Sequence, residues 1–452
     1  MERDRITAEY LDEVRRSGAT AAELIGTQPD SELLNAYYQG RYLSRPLFLG
    51  ADERARLETD LDNLRSALLS LPDRLYGGDL AAFARAVGMT DVQVSAIMRS
   101  RGDTTTRQAR ADLYRDTNGF RLLELNMGSA LAGIDSADMC RALLAHPVLA
   151  KFAAEHGLGY VDTMREVANN FLVECGYPPG SYPMVAFTDW PSSYETLAPY
   201  MHQFAVRWRE LGLDAHPCHV GELEFHGGRV WLRGRAVDII GRLFMIEDLL
   251  ESSEAPGLLD PLLDAAARGE VRIFTPLDAA VFSSKGALAM LSDENHRGVF
   301  TADELDSLDR ILPWTRMVRP GPVVLEDGRR VDLLKYALDH QDDLALKPTL
   351  LHGGHGVLLG WHETTSPRLW HERLTEAMDG PYVIQRRIRP VPELFAGDDG
   401  EPVPWIPVWG VFTVVNGYGG AFIRATRVDS DIAVINMGSG AFAGCSMHVT
   451  PD

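Results

Sequence analysis

The dipeptide Asn118-Gly119 restricts the fold of this 452-residue chain more than any other feature. It separates ARADLYRDT from FRLLELN, two short stretches with strand character. Asn-Gly accepts the positive φ values of a tight reversal, so the pattern predicts an antiparallel hairpin. Residues two apart on a strand share a face, so Glu124 and Asn126 project together, and Asp112 on the partner strand can face them. Two carboxylates and an amide oxygen make a hard oxygen set suited to Mg²⁺ held jointly with phosphates. Carboxylates flanked by leucines are costly unless something neutralises them. Read singly, each of the three is equally an ordinary solvent-side residue of an amphipathic strand.

A second constellation is LALKPTLLHGGHGVLLG, residues 344–360. Lys347 closes one apolar strand, and Gly353, Gly354 and Gly356 form a turn leading into another. Glycines let backbone N–H groups approach a polyphosphate, and the lysine adds a point charge. The spacing is not GxxxxGK[ST] and it opens onto a strand, so a P-loop NTPase is excluded. A plain hairpin turn is the alternative. His352 and His355 sit among the glycines and point to phosphate or solvent rather than to a metal pair. YVIQRRI (382–388) reads as a short strand with polar residues at its end. Arg110 and Arg424 flank apolar strands and are candidates for stabilising phosphoryl charge, although lone arginines usually form surface pairs. Lys285 opens the helix KGALAMLS, within reach of a phosphate at that helix N-terminus, or is a simple first-turn lysine. Arg242 is either a partner for a substrate carboxylate or part of a buried ion pair.

Along the chain, residues 1–104 have helical periodicity and no strand-like alternation, giving a helical N-terminal lobe. Residues 105–180 hold the hairpin, and 181–270 have a β-α-β texture expected to form a small Rossmann-like layer. Strands and helices alternate over 271–393, and 394–452 are strand-rich, with DIAVINMGS (431–439) expected among the strands. NMGSALAG at 126–133 recurs as NMGSGAFAG at 436–444, best read as a shared loop shape needing small residues. A formal charge of −20 (44 Lys+Arg against 64 Asp+Glu) disfavours phosphate-backbone recognition, so neither nucleic acid nor an anionic membrane is expected as a partner. No apolar run approaches the roughly 18 residues of a membrane span, and no secretory h-region opens the chain. Four scattered cysteines (Cys140, Cys175, Cys218, Cys445) form neither a zinc motif nor a disulfide framework, which fits reduced thiols and a cytoplasmic location. A homodimer is the default expectation for a soluble enzyme.

Taken together, RADLYRDTNGFRLLELNMGSALAG, SSKGALAMLSDE, ILPWTR, LALKPTLLHGGHGVLLG and PYVIQRRI resemble a circularly permuted ATP-grasp protein of the second bacterial type, distantly similar to glutathionylspermidine synthetase. The resemblance covers roughly 105–445 and implies an α+β fold: an ATP-grasp core in permuted order, with a Rossmann-like pre-ATP-grasp layer and the N-terminal helical lobe outside it. It implies Mg²⁺ ligation by Asp112, Glu124 and Asn126. ATP would be bound by Lys285, Lys347, Gly353, Gly354 and Gly356, with Tyr382, Val383 and Gln385 facing the adenine. Arg110 and Arg424 would stabilise the transferring phosphoryl group, with Asn436 a weaker candidate for the same pocket. The implied activity is an ATP-dependent carboxylate–amine ligase acting on a small acid or peptide carboxylate and an amine. A non-catalytic, nucleotide-binding or scaffold relative is the alternative, and a kinase that stops at a phosphorylated product is a third. Arg386 stands where many relatives carry Glu, and no amidase-type Cys-His arrangement is present.

Overall fold

A computed structural model describes residues 2–25, 34, 37–102, 105–397 and 401–450. Its central feature is an eight-stranded sheet. The main path runs Leu47–Leu49, Phe442–Val449, Gly417–Arg427, Pro402–Val414, Ala109–Asp116 and Gly119–Met127. Glu393–Ala396 pairs with Pro402–Val414, and Leu158–Gly159 pairs with Phe442–Val449. The hairpin turns at Gly119, whose φ of +128° only glycine adopts without strain, and the Asn118 N–H donates to Asp116 Oδ1 at 2.7 Å.

Alternation splits this sheet into two faces. Ala111, Leu113, Leu122, Leu125, Trp409, Val411 and Ile423 belong to one buried cluster, while Phe412, Phe422, Cys445 and Met447 belong to another. Each fully buried Leu or Phe contributes about 1.5–3 kcal/mol relative to exposure, so the register is strongly fixed. A register shift after Asp112 interrupts the hairpin: Asp112 pairs with Glu124, but Leu113 pairs with Leu122. The unpaired residue is Leu123. The bulge therefore brings both Leu123 and Glu124 to the lining of one cleft.

Two smaller sheets flank the large one. Arg272–Phe274, Ile239–Arg242, Met184–Asp189 and Asp214–His219 form an all-parallel sheet in that spatial order. Thr315–Met317, Tyr382–Arg386, Leu344–Pro348 and Leu358–Leu359 form an antiparallel sheet. The latter packs Leu344, Leu346 and Ile384 against Trp314, Leu333 and Trp370 in a core of its own.

Two expectations about elements change. The N-terminal region is not purely helical: Leu47–Leu49 is a strand paired in parallel with Ser446–His448, and Arg45 is buried against Glu393. A three-residue, wholly buried strand shows no alternation, which is why its sequence does not announce it. Position 104, the expected end of that lobe, lies outside the described residues. Residues 431–439 form turns rather than a strand. Ser439 and Asn436 satisfy the backbone there: Ser439 Oγ donates to Val434 O and accepts from Asn436 N, and Asn436 Oδ1 accepts from Ser439 N at 2.8 Å. Side chains that bond local backbone compete with sheet pairing.

Candidate active site

The cleft lies where the large sheet meets the antiparallel sheet. It has a volume of about 580 Å³, and its lining includes Asp112, Glu124, Lys347, Gly353, Gly354, Gln385, Arg424 and Asn436. The hairpin supplies the acidic floor. Register places Asp112 opposite Glu124 and Arg110 opposite Asn126, all on the cleft side of the sheet.

The charges on this floor are paired. Arg110 donates Nε and Nη2 to the two Asp112 oxygens at 2.8 and 3.1 Å, and Arg424 Nη2 stands 2.9 Å from Asp112 Oδ1. Glu124 Oε2 lies 3.0 Å from Lys285 Nζ, which also donates to Leu351 O at 2.8 Å. Burial alone would raise the Glu124 carboxyl, but Lys285 and Lys347 beside it hold it below the usual carboxylate range. Lys347 donates to Gln385 Oε1 at 2.5 Å and to the bulge carbonyl of Leu123 at 3.2 Å. Burial brings its ammonium down to about 8, against the opposing pull of Glu124. Gln385 is fixed in turn by donating to Thr315 Oγ1 at 3.2 Å.

The Gly-rich turn closes over this floor. Gly353, Gly354 and Gly356 have φ of +63°, +81° and +72°. A Cβ on Gly354 would stand 2.6 Å from Val434 Cγ1, so the 431–439 segment and the turn fit only with glycine there. Asn436 ties the two together by donating Nδ2 to Gly353 O at 3.0 Å. His352 reaches back to the floor, with Nδ1 3.2 Å from Asn126 Oδ1. Burial, then the nearby Lys285, lowers its imidazole to about 4, so it is neutral at pH 7. Its side chain remains 30% exposed to solvent while it meets Asn126 of the floor.

The donor set can be tested against Mg²⁺. Two carboxylates and one amide are the hard ligands this ion takes. Asn126 Nδ2 faces Asp112 Oδ2 at 3.3 Å and Glu124 Oε1 at 3.5 Å, an orientation in which the amide donates to both acids. Ligation needs the amide turned over, so that Oδ1 faces the ion and Nδ2 donates to His352 Nδ1. The set fits the ion, with the arginine and lysine partners displaced in part.

Tyr382 and Val383 do not line the cleft. Tyr382 packs against the core of the antiparallel sheet, and its carbonyl accepts from Val318 N at 2.9 Å, while Val383 pairs with Lys347 and Met317 and is fully buried. The lining at that end is Leu359, Trp361 and Arg386–Ile388, and the Arg387 guanidinium stands 4.5 Å over the Trp361 ring. Trp361 follows a glycine outside any periodic run, so sequence reasoning had no signal for it. Arg386 is held by Glu326, with Nε and Nη2 donating at 2.7 and 2.8 Å, and by Tyr336 Oη at 3.0 Å. Arg242 is not a free cation: it is 3% exposed and donates to the Thr275 and Phe244 carbonyls, both at 2.6 Å, and to Thr275 Oγ1 at 3.1 Å.

No family model matches the sequence, and no curated protein matches it. Among solved structures, the chain is similar to a glutathione synthetase-like effector of Globodera pallida in its apo form, at 10% identity and a TM-score of 0.56, over 94% of this chain and 98% of that one. A protein of Methylobacillus flagellatus KT named as a gamma-glutamylcysteine synthetase aligns at 10% identity over 86% of each chain, with a TM-score of 0.40. The first likeness spans almost the whole of both chains and shows that the two share a fold. Among the described residues no helix is long and apolar enough to cross a membrane.

Proposed function

We propose that the chain is an ATP-dependent carboxylate–amine ligase of the ATP-grasp class, built in permuted order. The observation that carries this reading is that Asp112, Glu124, Lys347 and the glycine turn line one cleft, with Lys285 ion-paired to Glu124 and Lys347 bonded to Gln385. In support of the permuted order, the acidic hairpin at 109–127 precedes the lysine and glycine turn at 344–360 in the chain. On this reading 105–180 and 394–452 form the metal-side core, 271–393 the nucleotide lobe, and 181–270 a Rossmann-like, substrate-side layer, except that the strand Arg272–Phe274 pairs into the sheet of that layer.

The chemistry follows from the charges. Lys285 and Lys347 would take the polyphosphate, and the N–H groups of the glycine turn would cover it. Trp361 and Gln385 would border the base. Asp112, Glu124 and Asn126 would hold Mg²⁺, which when bound offsets charge on the transferring phosphoryl group. A carboxylate attacks the γ-phosphate, giving an acyl-phosphate and ADP; an amine then attacks the acyl carbon and phosphate leaves. Arg110 and Arg424, which stand beside Asp112, would face the charge that develops on those oxygens.

A second reading, a nucleotide-binding protein without turnover, is favoured by the commitment of both Asp112 oxygens to arginines. ADP release measured across panels of acids and amines separates the two. A ligase needs both co-substrates for rapid release and loses it on Glu124→Ala with the fold intact. Mg-ATP binding without any release under every pair would favour the second reading.

A further inference from the structure

At its carboxyl end the parallel sheet finishes in a rim of loops that carries Glu247 and Asp278. Its side edge is a different kind of surface. Arg272–Phe274 stands last in the strand order and pairs only with Ile239–Arg242. The Arg272 N–H donates to Asp238 O at 3.2 Å, so the main-chain groups of Arg272 and Phe274 face that neighbour. Alternate residues of a strand bond to opposite sides, and Val271 and Ile273 therefore turn their N–H and C=O groups outward. Among the described residues those groups have no hydrogen-bond partner, although Val271 is only 4% exposed. Buried main-chain groups in folded proteins are almost always paired, which makes this edge a template for another strand.

A cavity of about 380 Å³ runs along it, and none of its lining residues belongs to the nucleotide cleft. Residues 271–274 form one wall, and the last turns of Asp91–Ser100, Thr163–Glu174 and Ala255–Ala267 form the others. Gly102, Gly176 and Gly269 follow those helix ends and leave the walls without side chains there. The cations of the cavity are only partly spent. Arg99 is taken up by Asp260 and Asp264, standing 2.6 Å from the latter. The guanidinium groups of Arg101 and Arg272 are exposed and have no ion pair or hydrogen bond among the described residues. Glu174, the acid among the lining residues, accepts from Arg107 N at 2.8 Å, and burial raises its carboxyl. The cavity thus lacks a strand partner and negative charge.

We propose that this edge binds an extended acidic peptide, which adds to the four-stranded sheet as a further strand while its carboxylates meet Arg101 and Arg272. Main-chain pairing with Val271 and Ile273 holds the segment, and the two arginines select its charge. The site is separate from the ligase reading of the cleft.

The test is calorimetric titration of the full chain with capped pentapeptides, one alternating valine with glutamate and one alternating valine with lysine. The glutamate peptide should bind one-to-one, and the lysine peptide at least about tenfold more weakly, the scale of one hydrogen bond to a charged group. Methylating two successive backbone nitrogens of the glutamate peptide should cost about tenfold or more, because one of any two successive N–H groups faces the strand. Arg101→Gln and Arg272→Gln together should weaken the glutamate peptide by about tenfold, the scale of two exposed ion pairs. Arg319→Gln, at an exposed arginine outside this cavity, should leave it unchanged. No binding by folded wild type, equal binding of the two peptides, undiminished binding of the methylated peptide, or binding insensitive to the double substitution would overturn the proposal. None of these readouts involves Mg-ATP or ADP release, so the ligase reading stands or falls by its own experiment.

Discussion

The hairpin floor and the parallel-sheet rim are both rich in buried charge, but they balance it differently. On the floor every acid has a basic partner: Asp112 has Arg110 and Arg424, and Glu124 has Lys285. On the rim Glu247 and Asp278 keep oxygens with no donor. A paired floor is pre-organised for a ligand of mixed charge, because Mg²⁺ can take the acids while phosphates take the cations. The same carboxyl chemistry thus takes two forms because the number of neighbouring cations differs.

The comparison breaks most visibly at Asp112. Asp112→Ala leaves two buried guanidinium groups uncompensated and should destabilise the protein by about 3–5 kcal/mol in urea unfolding. A loss under about 1 kcal/mol would mean the floor's pairing is not structural. Asp135 offers the converse case, a carboxyl 1% exposed with Oδ2 unpartnered and Oδ1 accepting from Tyr38 Oη at 2.7 Å. Burial raises it to about 6, so the folded state holds its proton more tightly than the unfolded state does. Ionisation therefore penalises folding above pH 6, and the penalty fades as pH falls through 6 toward 4. Asp135→Asn should stabilise by up to about 2 kcal/mol at pH 7.5 and by nothing at pH 4, read from urea midpoints at the two pH values. Gly354→Ala forces a side chain into a positive φ and against Val434, and should cost roughly 1–2 kcal/mol in closing the turn. That should appear as about tenfold weaker Mg-ATP binding. The smallest effect is expected at Arg386, whose ion pair with Glu326 is partly exposed. Arg386→Gln should change stability by less than about 1 kcal/mol, read from urea midpoints.

What could be read from the sequence were the features with short-range causes. The hairpin follows from Asn118-Gly119, and the shared face of Glu124 and Asn126 follows from strand alternation. The lysine–glycine turn announces itself because it sits between two apolar strands. The bulge at Leu123 was not legible, since a register shift depends on what each strand packs against. Leu47–Leu49 was hidden for the same reason, being a strand only because Ser446–His448 lies beside it. The 431–439 segment has strand composition, but Asn436 and Ser439 capture its backbone. The family resemblance set Tyr382 facing the adenine, whereas its ring packs against the small core. Glu247 lies in a short 3₁₀ turn with no motif around it, and only its unsatisfied oxygens mark it out.

The central claim is that the paired floor and the glycine turn form a Mg-ATP site. It is tested most directly by calorimetric titration of Mg-ATP into the wild type and Lys347→Met, with circular dichroism confirming that both are folded. The account predicts saturable one-to-one binding by the wild type and at least about a 100-fold loss in the variant, since a charged donor to the phosphates is removed. Absence of binding by folded wild-type protein, or equal affinity in the variant, would contradict it.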